Sequence, residues 1–290
     1  MTSSPLYIAL AIAVAAGGLL PTAPVAAQTA SAVRATAQST MVLTGTIGIA
    51  KDGSVDALQI DQADTISPAI ASFVDGAVRG WHFKPVMVDG QQVAAKAPLR
   101  LRLLARPMAD GSAEVAIRDA DFSRNEVSTD SVTRLKMPPP SFPDEVFRMG
   151  GRGTALVLLK IDRRGTVADA IVEQVNLTVA GPEPAMVKIR RLLASNTLSP
   201  ARRWTFTPPP TGPDKDRDFW VVRVPVYYAG LRESAKEKYG QWSAYIPGPK
   251  QVAPWRKDTA AGSDLLPAGG VYMVDSSRKG PELLTPLEQG

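Results

Sequence analysis

The chain contains no cysteine and only one histidine, His82, among its 290 residues. Without cysteine it can form no disulfide, no thiolate zinc site and no lipid-modified cysteine, so hydrophobic cores must hold the fold together. A metal cluster or a Ser-His-Asp triad needs several partners in a defined geometry, which one histidine does not supply. Because His82 lies between Trp81 and Phe83, we interpret it as the outward residue of a strand. These absences argue against an enzyme.

Three short patterns resemble functional motifs but lack the residues that such motifs require. The alternating carboxylates of residues 214–218 are similar to a calcium loop, yet Phe219 replaces the sixth-position glycine and Pro225 the twelfth-position glutamate. Residues 276–279 fit S-x-x-K without its companion motifs, and the glycine-rich residues 150–153 precede a strand rather than a helix. We therefore predict no catalytic residue, no metal site and no cofactor.

The chain also lacks an apolar run long enough for a standard membrane span. The run over residues 6–20 has 15 residues, whereas a transmembrane helix needs about 20. Small residues follow it and end at Ala27, which is typical of a cleaved secretory signal. We expect residues 1–27 to be a signal peptide and residues 28–41 a flexible lead-in. Since no lysine or arginine precedes the run, retention of residues 5–27 as a membrane anchor is the alternative.

One aromatic-x-aromatic-x-proline pattern occurs twice, at residues 81–85 and 204–208. A glycine turn precedes each copy, at Gly53 and at Gly165, and an alternating apolar strand follows each copy. Turn, strand, helix, motif and strand recur in the same order, which predicts two copies of one structural unit. The repeated positions are predicted to form the cores: Trp81, Phe83, Pro85, Trp204, Phe206 and Pro208.

The helix of each unit is also predicted from spacing. In the first unit Ser67 can cap the helix and Pro68 fits its first turn. Its apolar positions fall on one stripe: Ile70, Phe73, Val74, Ala77, Val78 and Trp81. In the second unit we expect a helix at Met186, Ile189 and Leu193, flanked by loops around residues 181–184 and 195–200.

This ordered set resembles the TonB C-terminal domain. Residues 138–230 carry the full pattern, including Ser141-Phe142-Pro143, a short helix to Met149 and the closing Val-x-Val-Pro-Val-Tyr strand. Residues 42–105 carry it without the opening aromatic-proline helix. The resemblance implies a periplasmic domain whose closing strand grips a short segment of an outer-membrane receptor. It also implies an envelope protein, such as a receptor or transporter, as the partner.

We predict an α+β fold of two tandem units, each a small antiparallel sheet with a helix packed on one face. Residues 42–105 and 138–230 form the units. Residues 106–137 are expected to be a linker that holds them apart, with one strand near residues 113–118. Residues 231–290 are rich in proline and glycine but carry several large rings, which favours docking on the second unit over a free tail.

The closing strand of the second unit is the predicted binding site. If a helix crosses from the second strand to the third, that third strand is an edge, and Pro225 is tolerated there. An edge strand can accept an extended peptide. The predicted edge comprises Val221, Val222, Arg223, Val224, Val226, Tyr227 and Tyr228. The bland alternative is an edge that is merely protected, and pairing of edges between molecules as a homodimer stays open.

Two further functions are weighed against a binding module. An anchored energy transducer, passing proton-motive-force energy to outer-membrane transporters, requires that residues 5–27 be retained, and membrane contact is expected only then. A hydrolase or transferase of the cell envelope lacks the clustered residues that it needs. The arginine pairs at residues 190–191 and 202–203 lie near Trp204, but export separates the protein from nucleic acid. An acidic envelope partner is the remaining role for them.

Overall fold

A computed structural model describes residues 38–108, 113–122, 130–230, 239–256, 266, 269–274 and 280–287. The fold is α+β, with mostly antiparallel strands and few helices. The predicted signal peptide and its alternative, the membrane anchor, lie outside these residues. Among the helices that the structure describes, none has the length and apolar character needed to cross a membrane.

The first unit is a twisted sheet with strand order β2-β1-β5-β6 and one long helix. Its elements are β1 (Gln38–Ile49), β2 (Val55–Ile60), a 3-10 helix (Ala63–Thr65), α1 (Pro68–Arg79), β3 (Val86–Val88), β4 (Gln91–Val93), β5 (Ala95–Pro107) and β6 (Ala113–Asp121). β3 and β4 form a separate hairpin, whose turn Asp89-Gly90 has positive φ at both residues. Such a turn matches the natural strand twist.

The second unit repeats this plan. Its elements are β7 (Thr133–Lys136), α2 (Asp144–Arg148), β8 (Gly153–Asp162), β9 (Val167–Leu177), α3 (Glu183–Ala201), β10 (Thr205–Thr207) and β11 (Phe219–Tyr228). In both units the third strand pairs with the first, because the helix carries the chain back across the sheet: the order is β2-β1-β5 in one and β9-β8-β11 in the other. The predicted repeat is therefore present as a repeat of topology.

The glycine turn and the aromatic motif occur together because they pair through their backbones. The Phe83 N–H donates to the Gly53 oxygen at 2.8 Å, and the Phe206 N–H donates to the Gly165 oxygen at 2.8 Å. Both glycines have positive φ, 90° and 79°. A Cβ at either position would overlap the carbonyl oxygen of its phenylalanine. Only glycine lets the two backbones approach this closely.

The aromatic residues of the motif are core residues, as predicted. Trp81, Phe83, Trp204 and Phe206 are all buried, the first two in the core of the first unit and the last two in that of the second. The motif prolines, Pro85 and Pro208, are only half-buried. His82 is exposed, as expected for the outward residue between two buried rings.

The helix of the first unit matches its prediction. The Ser67 hydroxyl accepts a hydrogen bond from the Ile70 N–H, and Pro68 occupies the first turn. The predicted loop over residues 195–200 is wrong, because α3 continues to Ala201. The hydroxyls of Ser195 and Thr197 donate to carbonyls one turn back, so these polar residues satisfy themselves within the helix.

Two predicted boundaries also change. The last residues of the expected flexible lead-in, 38–41, belong to β1, where Met41 is 4% exposed and packs in the core. The expected linker is divided between the units. Its strand, β6, extends the first sheet beside β5, and β7 pairs with β10 in the second unit. Most described residues of the expected linker therefore pair with neighbouring strands, although their composition is typical of a spacer.

The C-terminal tail docks, as favoured, but on both units rather than only the second. Its strands are β12 (Ser243–Tyr245), which pairs with β1, and β13 (Tyr272–Met273), which pairs with β11. Leu283 bridges to Phe83 in the first unit. The segment around Leu283 thus lies beside Phe83 in the same way that β7 lies beside Phe206 in the second unit. The tail therefore adds a strand to the sheet of each unit.

Acid is expected to weaken the turn before β9 through Asp162. Hydrogen bonds from the Thr166 side chain and backbone, together with the Arg164 N–H, hold the pKa of Asp162 below its ordinary 3.8. Its stabilising contribution is present above that value and is lost as pH falls through the lowered pKa.

We expect Asp162→Asn to be less stable at pH 7 but to lose less of its stability between pH 5 and pH 2. Urea unfolding across this range, with Asp169→Asn as a control, measures it. Parallel pH profiles for wild type and Asp162→Asn would contradict this expectation.

Candidate partner-binding edge

β11 lies between β8 and the tail. It pairs with β8 over its whole length, from Phe219 opposite Asp162 to Tyr228 opposite Gly153. On its other side, among the residues that the structure describes, only the short β13 pairs with it, through Val222 opposite Met273 and Arg223 opposite Tyr272. Within the repeat itself, β11 is therefore the edge strand that the sequence predicts, and a segment from the tail occupies that edge.

The predicted edge residues divide into two alternating sets. The carbonyl oxygens of Val221 and Pro225 accept hydrogen bonds from the tail, so the backbone groups of odd-numbered residues point away from β8. Val221, Arg223, Pro225 and Tyr227 thus offer their backbones to the edge. The remaining predicted residues, Val222, Val224, Val226 and Tyr228, direct theirs to β8. Because the backbone of Pro225 points away from β8, its missing N–H removes no hydrogen bond between β11 and β8.

The side chains of β11 are mostly buried, and they pack on both faces of the sheet. Val222, Val224 and Tyr228 pack in the main core under the helix. Val221 packs on the opposite face with Leu158 and Ala253, and Trp255 and Val274 lie against this second cluster. Since Ala253, Trp255 and Val274 belong to the tail, the tail covers the sheet face that the helix does not.

Arg223 makes an ion pair within the chain. Its Nε and Nη2 donate to the two carboxylate oxygens of Glu173 on β9, at 2.6 and 2.9 Å, and the arginine is 4% exposed. A bidentate pair of this kind is strong and geometrically specific. The Arg223 side chain is therefore engaged, and only its backbone faces the edge.

Tyr228 closes the far end of the strand through a buried network. Its hydroxyl accepts from the Asn196 side-chain amide at 2.9 Å and lies 2.8 Å from the Thr197 hydroxyl. Burial raises the pKa of Tyr228 above its ordinary 10.0, against the effect of these hydrogen bonds. Phe142, just before α2, packs edge-to-face on the same ring at 5.6 Å between centroids. The aromatic-proline segment thus anchors β11 to the helices.

The corresponding strand of the first unit is not an edge. β5 pairs with β1 on one side and with β6 on the other, from Arg100 opposite Asp121 to Pro107 opposite Ala113. The two units share topology but differ in which strands remain open. In the described part of the chain, β6 is the outer strand of that sheet. This difference between the units was not apparent from the repeat pattern.

The weaker motifs do not assemble into a site. Asp214 is buried and pairs with Arg217 at 2.8 Å, while its carbonyl accepts from the Trp220 indole at 2.8 Å, so it anchors the loop before β11. The side chain of Arg190 pairs with Glu183 and the tail. Across the described residues, no group of three or more His, Cys, Asp or Glu side chains could hold a metal ion.

The sequence analysis did not predict which strands the tail pairs with. Residues 271–274 are a short run of apolar and aromatic residues after two glycines, which is a weak strand signal, and no spacing rule assigns them to β11. Comparison with known proteins adds no assignment: no protein-family model matches the chain, no curated protein is similar to it, and no solved structure matches it.

Proposed function

We propose that this chain is a non-enzymatic binding module of the bacterial cell envelope, related to the TonB C-terminal domain, which holds an extended partner segment along β11. The observation that carries the proposal is the placement of β11. It is anchored firmly to β8 on one side, and its other side already pairs with a short, separate peptide segment. A strand in that position accepts backbone hydrogen bonds from any extended chain, while side-chain contacts select among sequences.

The remainder of the proposal follows from the sequence. A secretory signal over residues 1–27 would place the protein in the periplasm, where an outer-membrane receptor or transporter segment is the expected partner. Retention of residues 5–27 would instead make the chain an anchored energy transducer at the inner membrane. The intact mass of the protein in the soluble and membrane fractions distinguishes the two. Loss of about 27 residues supports the first, and a full-length membrane-bound chain supports the second.

Selection of random extended peptides on the full-length protein tests strand addition directly. Bound peptides are expected to slow amide exchange at Arg223 further than its pairing with Tyr272 does, and to leave Val224 unchanged because it bonds to β8. Hydrogen exchange resolved to single residues by NMR measures this. Protection confined to β6, the outer strand of the first sheet, would contradict a site on β11.

A second readout separates backbone addition from ordinary side-chain docking. Methylation of alternate backbone nitrogens removes the donors on one edge of a peptide and leaves its side chains in place. Peptides methylated on the edge that faces β11 are expected to lose binding, whereas peptides methylated on the opposite edge are expected to keep it. Equal binding by the two methylated forms would exclude strand addition.

A further inference from the structure

We infer, on the basis of the function proposed above, that residues 269–274 are an internal ligand of β11 and must leave before a partner segment binds. The segment also shows which partner fits: an extended stretch with large apolar side chains at alternate positions. The tail thus inhibits the site, and the sequence of residues 269–274 indicates which partner sequences the site accepts.

The backbone contacts make the segment equivalent to an added strand. The Gly269 N–H donates to the Pro225 oxygen at 3.0 Å, and the Val274 N–H donates to the Val221 oxygen at 2.9 Å. Between them two residue pairs are antiparallel, Val222 opposite Met273 and Arg223 opposite Tyr272, and the tail has one residue more than β11 over this stretch. These contacts engage the outward carbonyls at positions 221 and 225, so an external strand and this segment cannot bind there together.

The side chains of the segment define the kind of partner that can replace it. Val271 and Met273 pack against the main core of the second unit, and the Met273 sulfur accepts from the Val132 N–H at 3.4 Å. Val274 packs on the opposite face beside Val221 and Trp255. A replacement must therefore fill the core-facing positions two residues apart with aliphatic groups, as a strand does.

The segment is held weakly enough to be displaced. Its ladder joins two residue pairs to β11, whereas β8 pairs with the same strand over ten. All four residues from Val271 to Val274 are only half-buried. Gly269 and Gly270 precede them, and glycine loses the most conformational freedom on ordering. A partner with a longer ladder and no such entropy loss binds in preference.

Tyr272 connects the segment to the first unit. Burial raises its pKa to about 12, the Arg100 guanidinium opposes the increase, and the Asp121 carboxylate adds to it. Arg100 and Asp121 belong to β5 and β6 and form an ion pair at 3.4 Å. Two charged residues of the first unit thus act on the Tyr272 hydroxyl.

The test uses a labelled synthetic peptide of residues 267–276 and the full-length protein. The double variant Gly269→Pro/Val274→Pro deletes the donors to Pro225 and Val221, and proline also excludes the φ of 74° at Gly269. Each net hydrogen bond corresponds to roughly fivefold in the equilibrium. We expect the variant to bind the peptide about 30-fold more tightly than wild type, because the closed fraction of wild type weakens its apparent affinity. Fluorescence anisotropy measures this.

The matched control is Leu284→Pro, which removes a tail N–H bonded to His82 in the first unit rather than to β11. It is expected to bind the peptide as wild type does. Equal binding by wild type and the double variant would overturn self-inhibition while leaving strand addition intact. No binding by the double variant, with hydrogen exchange at Arg223 raised, would overturn both.

A reversible lock provides an independent check, since the chain has no native cysteine. Val222 and Met273 lie directly opposite each other as a non-hydrogen-bonded pair, whose Cα separation of about 4.5 Å suits a disulfide. Oxidised Val222→Cys/Met273→Cys is expected to show no binding at peptide concentrations that the reduced form binds. Binding by the oxidised form equal to that of the reduced form would contradict displacement.

Discussion

Replacing Gly165 with alanine is expected to destabilise the second unit by about 2–5 kcal/mol. The positive φ of 79° costs a residue with a side chain about 1–2 kcal/mol. The new Cβ would also overlap the Phe206 oxygen, which forces the turn and the motif apart. That movement weakens the hydrogen bond from the Phe206 N–H to the Gly165 oxygen, and a buried group left unpaired costs a further 1–3 kcal/mol or so. Urea unfolding followed by tryptophan fluorescence measures the loss.

Two other glycines separate these causes. Gly90 has a φ of 78° but nothing near the position of a Cβ, so Gly90→Ala isolates the backbone strain at about 1–2 kcal/mol. Gly181 has neither the positive φ nor a close neighbour, and its replacement should be nearly neutral. Gly53→Ala repeats the experiment in the first unit. If Gly165→Ala costs no more than Gly90→Ala, the close approach of the two backbones contributes nothing.

Truncating Trp204 to alanine is expected to cost about 3–5 kcal/mol, as for other large aromatic side chains in cores. The ring is 2% exposed and packs where the helix returns to the sheet. Its indole N–H also donates to the Pro138 oxygen at 2.9 Å, which ties the segment before α2 to the core. Urea unfolding measured by circular dichroism avoids dependence on the fluorescence of the removed ring.

Two variants identify what the indole contributes. Trp204→Phe keeps most of the apolar volume and loses the hydrogen bond, so a loss of about 1–2 kcal/mol is expected. Trp242→Ala removes a tryptophan that is 40% exposed in the tail and should cost far less. A cost for Trp204→Ala no larger than that for Trp242→Ala would contradict a core role for the motif.

Local sequence patterns were enough to predict the two units because characteristic residues mark where several of their elements begin. Ser67 and Pro68 start α1, and the glycine turns and paired aromatic residues repeat in register. The end of α3 was missed because serine, asparagine and threonine are typical of loops, where their side chains bond to nearby backbone groups, although the same side chains can also bond back within a helix. Here Ser195 and Thr197 bond back into the helix.

The long-range pairings could not be predicted from the same patterns. β6 is an ordinary apolar alternation and β13 is only two residues long, and several strand edges compete for such segments. Choice among edges depends on chain length and on what each edge already contacts, which the sequence does not display locally. The edge at β11 was therefore predicted from Pro225, whereas its occupant was not. Whether that edge serves an external partner remains the proposal that the peptide experiments test.

The attachment of the last residues to the first unit determines the order in which the protein can fold. The His82 N–H donates to the Thr285 hydroxyl across 203 positions of sequence. The Lys84 N–H donates to the Glu282 oxygen, and the Leu284 N–H to the His82 oxygen. Contacts this remote raise the contact order and slow folding, because the intervening chain must first be brought together. During synthesis the first unit emerges early, yet its contacts with residues 282–285 form only after those residues have been made.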